Sequence, residues 1–372
     1  MFRYSLFFLS LIFCLVAGTA DERRFTTNSR LVLGTEKNRS ASLSIGDLDG
    51  DSDLDIVVAN GRHWPQQNFL LFNQGRARFK LARRLGQDLA TSYATELADF
   101  DNDGDLDIAV GNDTAPNAIF LNDSHGHFQH HTTFGQPSSL RSLTLADIDQ
   151  DGDVDILANA RGKQNLIYFN DGSAHFPTIR TFGQAVDSTI DVAVADLNHD
   201  ELPDLILANR DGQQNVVLLN NGKAHFTLRL PFGTGRDETR AVAVADLDGD
   251  GNLDWVTGNI RQSNAVYLGD GKGGTRETLN FGRADGQTYA IAIADMDNDG
   301  HPDIIVGNVA QANAVFFNQG DGKTFKEVLF GDPSQITYNL AIGDLNQDGY
   351  RDIAVANSNT LNFIYLNLPL KR

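Results

Sequence analysis

The stretch DLDGDSDLD that begins at Asp47 returns six more times: DFDNDGDLD from Asp99, DIDQDGDVD from Asp147, DLNHDELPD from Asp196, DLDGDGNLD from Asp246, DMDNDGHPD from Asp295 and DLNQDGYRD from Asp344. Successive first aspartates lie 48 to 52 residues apart. A period of this length confines the chain to an array of equal supersecondary units, each burying its apolar faces against its neighbours.

Every unit has the same order. An alternating run such as AVAVAD enters the acidic loop, and a short apolar run such as LDIVVAN or PDIIVGN leaves it. A turn with a recurrent Asn follows (Asn68, Asn117, Asn165, Asn215, Asn264, Asn313, Asn362), whose regularity reads as turn capping. A third apolar run and a fourth ending in Phe-Gly or Leu-Gly complete the unit. Period-two alternation, abundant Val, Ile and Phe, and Gly/Asn/Asp punctuation predict about four short strands per unit and no helix. Seven such units describe an all-β fold, a seven-bladed β-propeller with four-stranded blades.

The ends bear on closure. After the run Phe363 to Asn367 only LPLKR remains, so the seventh blade lacks an outer strand. The segment Arg24 to Gly34, RFTTNSRLVLG, resembles the outer-strand run Arg78 to Gly86 and has no blade of its own. The N-terminal strand is therefore expected to complete the last blade and leave no open sheet edge; an open stack would leave both ends unpaired.

The first twenty residues carry one cation, Arg3, an apolar run and a small-residue end at Gly18, Thr19 and Ala20. This is the pattern of a signal peptide, residues 1–20, followed by one propeller domain over 21–372; a retained membrane anchor would need a longer apolar run. The expected location is secreted or periplasmic, with no transmembrane segment in the mature chain and a monomeric state. The only cysteine, Cys14, falls inside the leader, so stability must come from the core or from metal. A net charge of −19 excludes binding to a nucleic-acid backbone as the main activity.

Each loop places Asp at position 1, Asp or Asn at 3, Asp at 5, usually Gly at 6, and Asp at 9. The candidate ligands are Asp47, Asp49, Asp51 and Asp55; Asp99, Asp101, Asp103 and Asp107; Asp147, Asp149, Asp151 and Asp155; Asp196, Asn198, Asp200 and Asp204; Asp246, Asp248, Asp250 and Asp254; Asp295, Asp297, Asp299 and Asp303; and Asp344, Asn346, Asp348 and Asp352. Hard oxygens at alternate positions with a turn-permitting Gly suit Ca²⁺, up to seven ions of mainly structural role, better than Mg²⁺. Solvated acidic hairpins would not need this register seven times. Loop four, with Asn198 and with Glu201 in place of Gly, is the weakest member. Loss of Arg3 takes the charge from −19 to −20, and seven divalent ions, fourteen positive charges, would leave about −6, an ordinary surface charge.

Six residues before each first Asp stand Ala41, Tyr93, Arg141, Ile190, Arg240, Tyr289 and Tyr338. Sevenfold repetition places them in a ring at the channel mouth opposite the acidic loops, where Tyr93, Arg141, Arg240, Tyr289 and Tyr338 form a pocket for an anionic or hydroxylated ligand or else plug the channel. The loop NGRHWPQQN adds Arg62, His63 and Trp64 on the same rim.

The acidic loops, with Phe-Gly at Phe134, Phe182, Phe232, Phe281 and Phe330 and Leu-Gly at Leu33 and Leu85, resemble the FG-GAP and VCBS repeat families, the propeller of integrin α subunits and of secreted bacterial proteins. The resemblance implies the propeller fold and Ca²⁺, and leaves activity open, since such propellers serve as adhesion modules, lectins and occasionally polysaccharide lyases. Two functions are carried forward. One is a secreted, calcium-binding module for glycan or extracellular protein ligands. The other is a lyase acting on uronate-containing glycans, with an arginine neutralising the carboxylate and a Tyr or His63 abstracting the proton. No catalytic motif distinguishes the second, and the catalytic residues are unassigned.

Overall fold

The computed structural model describes residues 22–370, and the expected leader lies outside the described residues. Six blades are four-stranded antiparallel sheets in sequence order, and the seventh recruits the N-terminus. Blade one is representative, with strands Ser40–Gly46, Asp55–Asn60, Gln66–Asn73 and Phe79–Ala90 running from the central channel outward. The second strand of every blade is buried at all of its residues. Both of its faces pack against neighbouring blades, which is why runs such as DIVVAN and DIIVGN lack a polar face.

The core is accordingly divided into seven clusters, each shared between adjacent blades. Leu48, Val57, Leu70 and Phe72 of blade one, for example, meet Ile108, Val110 and Phe120 of blade two. The Phe-Gly pairs mark these seams. Phe134 sets its ring edge to face against Tyr168 of the next blade at 5.1 Å, and Phe232 and Phe330 repeat this on Tyr267 and Tyr365 at 5.0 Å. Gly135 follows because a Cβ there would lie 2.5 Å from the Tyr168 hydroxyl, and its φ of +73° belongs to glycine.

The recurrent Asn does more than cap its turn. Asn68 Oδ1 accepts the Asn60 amide at 2.8 Å, and its Nδ2 donates to Ser92 Oγ of blade two at 2.8 Å; Ser92 in turn donates to Asn112 at 2.9 Å. The same relay spans the last seam, since Asn362 of blade seven donates to Ser40 of blade one and Ser40 to Asn60, and it is interrupted between blades two and three, where Leu140 replaces the hydroxyl residue. Ring closure is thus written in side chains as well as strands.

The expected N-terminal closure is present, in two pieces. Arg23–Thr26 pairs with Leu366–Pro369 and Val32–Leu33 with Asn362–Phe363, with a turn between them. Phe25, Leu31 and Leu33 are buried, and Arg23 donates to Asn367 Oδ1 at 2.8 Å and to Asn367 O at 2.9 Å. Among the described residues no helix is long and apolar enough to cross a membrane.

Candidate functional site

The acidic loops join the first and second strands at one rim, and their hydrogen bonds are nearly identical. The position-1 carboxylate collects amides of its own loop: Asp47 takes Gly50 at 2.8 Å and Ser52 at 2.9 Å, and Asp295 takes Asp299 at 3.2 Å and Gly300 at 2.9 Å. Position 5 accepts the amide at position 7, as Asp51 does from Asp53 at 2.9 Å. Position 9 is a buried clasp. Asp55 accepts the Leu48 amide at 3.1 Å and, on its other oxygen, the Asn73 amide at 2.7 Å, so that one carboxylate ties the loop to the third strand; Asp107, Asp155, Asp204, Asp254, Asp303 and Asp352 repeat this.

Position 3 differs. The buried Oδ1 of Asp49, Asp101, Asp149, Asp248, Asp297 and Asn346 has no hydrogen-bond partner. An inward oxygen left unpaired in six loops out of seven is placed to serve as a cation ligand, because orphaned buried acceptors are otherwise costly. Three carboxylates come within ligating distance of one another at positions 1, 3 and 9 in loops one to three (Asp47, Asp49, Asp55; Asp99, Asp101, Asp107; Asp147, Asp149, Asp155) and at positions 1, 3 and 5 in loops five and six (Asp246, Asp248, Asp250; Asp295, Asp297, Asp299). These clusters could hold a metal ion. Loop seven has the same unpaired oxygen on an amide, Asn346. In loop four Asn198 is spent internally, accepting the Asp200 amide at 3.1 Å and donating to the Asp200 carboxylate at 3.0 Å. Loop five carries a competitor, since the Arg276 guanidinium contacts Asp248 and lies 3.0 Å from Asp250.

Burial pushes the loop carboxyls above their ordinary range: Asp55, Asp155, Asp303 and Asp352 to about 7, and Asp107, Asp204, Asp254 and Asp297 to about 6. Neighbouring aspartates add to this and backbone amides oppose it. Carboxylates buried this close together without a counter-charge could hold a divalent cation in place of the proton.

Position 4 carries no signal in the acidic pattern, yet it organises the rim. It is left-handed in every loop, and in five loops the residue is not glycine: Asn102, Gln150, His199, Asn298 and Gln347, with φ of 60° to 63°. Each of these side chains reaches the following loop. Asn102 donates to Asp153 at 2.8 Å, Gln150 to the Glu201 carbonyl, Asn298 to the Gly349 carbonyl at 3.0 Å and Gln347 to Asp53 at 2.8 Å, and His199 pairs with Asn252 at 3.0 Å. A left-handed non-glycine costs on the order of 1 kcal/mol, and the bridge to the next loop offsets it. Gly50 and Gly249 interrupt the chain of bridges after loops one and five.

At the opposite rim, Ala41, Tyr93, Arg141, Arg240, Tyr289 and Tyr338 line the channel mouth as expected, whereas Ile190 turns into the core and Asp191 takes its place. The mouth is largely self-occupied. Arg62 lies 4.0 Å over the Tyr338 ring and donates to its hydroxyl at 2.5 Å; Arg141 lies 4.7 Å over Tyr93 and pairs with Asp113 at 3.0 Å; Arg240 lies 5.7 Å from the Tyr289 centroid. His63 meets the Tyr93 hydroxyl at 2.9 Å, and burial, reinforced by the Arg62 charge, pushes its imidazole below its ordinary value. Trp64 stands outside this cluster, 63% exposed, with Arg39 at 5.6 Å. The residues of the mouth line a small cavity of about 90 Å³.

Two acids that the sequence pattern does not single out, Glu96 and Asp191, face this lumen. Burial, with the Asp191 charge adding, pushes Glu96 to about 8, and burial pushes Asp191 to about 6. For Glu96 the folded state holds its proton more tightly than the unfolded chain does. The stability it allows is therefore full below its unfolded value of 4.5 and falls as pH rises toward about 8. Glu96→Gln is expected to stabilise the fold at pH 8 by on the order of a few kcal/mol, read as a higher melting temperature, and to change nothing at pH 4. Equal melts at pH 8 would show that the carboxyl is not buried in the lumen.

Profiles of the FG-GAP-like repeat match residues 47–110, 99–158, 149–207, 196–257, 246–306 and 295–355. The chain belongs to the FG-GAP-like repeat family. No curated protein sequence matches it. Among solved structures, this FG-GAP propeller is similar to BBS1N in a crystal of its complex with ARL6DN soaked with mercury, at 12% identity and a TM-score of 0.63, covering 92% of this chain and 96% of that one. The lead-soaked crystal of the same complex gives 11% identity, a TM-score of 0.64 and coverages of 93% and 96%. At such identity the likeness shows the fold.

Proposed function

We propose that the protein is a secreted, calcium-binding propeller whose rim opposite the acidic loops docks an extracellular protein. The carrying observation is the mouth itself. Its cavity is small, about 90 Å³, its tyrosine faces are covered by Arg62, Arg141 and Arg240, and Trp64, on the loop that carries Arg62 and His63, is exposed. A flat rim with an exposed aromatic beside arginines suits a protein surface better than a small ligand. BBS1N, a propeller of similar shape, is crystallised with a protein partner. Calcium at the opposite rim would act through its own loops: six position-3 oxygens offer it a ligand, and the ion would neutralise the carboxylates and fix the first two strands of each blade.

The glycan and lyase readings have less support. Burial raises the phenols of Tyr93 and Tyr338 above their usual range, which works against proton abstraction by either. The test uses the mature chain with extracellular proteins and with a glycan array in parallel. Trp64→Ala should abolish saturable protein binding and leave the melting temperature within about 2 °C, because this side chain is exposed. Saturable glycan binding lost on replacing Arg141 and Arg240 by Gln, with protein binding absent, would overturn the reading.

A further inference from the structure

Five of the nine histidines, His125, His127, His130, His131 and His175, lie on the outer parts of blades two and three and are neither acidic-loop ligands nor residues of the channel mouth. The outer strand of blade two, Gln129–Phe134, is irregular there. Its pairing slips between His130 and Thr132, so that His131 is the extra residue of a bulge, while the equivalent strand of blade three pairs without a slip. A bulge re-aims a side chain. Here it brings His131 against His175 of the next blade, with ring centroids 4.8 Å apart and planes at 74°.

We propose that His131 and His175 form a two-imidazole site for a borderline transition-metal ion, zinc, nickel or copper, across the seam between blades two and three. Two imidazoles that share a tetrahedral ion through metal–nitrogen bonds of about 2.1 Å have ring centres about 5 Å apart. The observed separation matches. Nδ1 of His175 lies 2.9 Å from the Ser173 carbonyl, an oxygen that only accepts, and 3.3 Å from the Ser173 hydroxyl; the carbonyl favours the proton on Nδ1, the tautomer in which Nε2 keeps its lone pair. A ligating histidine is held by its other nitrogen in this way. His125, with Nδ1 2.7 Å from the Asp123 carbonyl, is anchored alike but stands on the hairpin tip, and it is not part of the pair. Among the described residues no third imidazole or carboxylate joins the two within ligating distance, so water completes the coordination and the site is exchangeable. Nitrogen donors select these ions over calcium, which separates this site from the acidic loops.

The experiment titrates calcium-saturated protein with Zn²⁺ by calorimetry and with Cu²⁺ by electron paramagnetic resonance. Wild type should show one site with hyperfine structure from two imidazole nitrogens. His131→Ala and His175→Ala should each weaken zinc binding at least about tenfold, with the double variant no worse than either single one, since losing one tooth of a chelate loses the chelate. Both side chains are exposed, so the calcium-loaded melt should not move. Wild-type zinc and copper binding in both variants would overturn the proposal, as would binding that disappears only with His125 and His127.

Discussion

Deleting Arg23–Leu33 will leave a chain that aggregates or melts far below wild type. The segment contributes the buried Phe25, Leu31 and Leu33, each worth roughly 1.5–3 kcal/mol of burial, so their loss alone approaches the whole stability of an ordinary domain. The geometry makes it worse. Without it, Asn362–Pro369 becomes an open edge of an otherwise closed ring, offering unpaired amides and carbonyls to a second chain. Asn367 loses Arg23, although it still joins Asp352 of its own blade and Met296 of blade six. Size-exclusion chromatography and a melt decide it. A monomer with the wild-type melting temperature would mean that the ring closes some other way.

Chelation has the second large effect. A ligand that binds only the folded state stabilises it by about 2.7 kcal/mol per site at one hundred times its dissociation constant, and six loops carry the unpaired oxygen. Adding EGTA should therefore lower the melting temperature by on the order of 20 °C, with Ca²⁺ restoring it far better than Mg²⁺. Raised loop carboxyls give the same conclusion from the other side: removing the cation leaves Asp55 and its counterparts buried with no counter-charge. A melt unmoved by EGTA would contradict the calcium reading.

The strand count, the closure and the loop register were legible in the sequence because each is repeated seven times, and repetition separates signal from accident. The mouth was legible only in part. Counting back six residues located Tyr93, Arg141, Arg240, Tyr289 and Tyr338 correctly, but not that Arg62 would cover Tyr338 or that Asp113 would pair with Arg141. These contacts join residues distant in the chain, and no local pattern encodes them. The same holds for the lumen acids. Glu96 stands where four other blades have Ala193, Ala243, Ala292 and Ala341, so it departs from the repeat instead of belonging to it. Position 4 was missed for another reason. The amides Asn and Gln, the imidazole of His and the bare Gly share no single side-chain chemistry, and only the left-handed backbone common to all seven shows the position to be one site.

The central claim is that the loops are calcium sites with one exception, and a calcium count tests it most directly. Protein dialysed against calcium and analysed by elemental mass spectrometry and titration calorimetry should hold six ions per chain, one for each loop whose position-3 oxygen is unpaired. Loop four should stay empty because Asn198 is bonded to Asp200. A count well below six, a seventh ion in loop four, or a protein that takes up magnesium as readily would contradict the account.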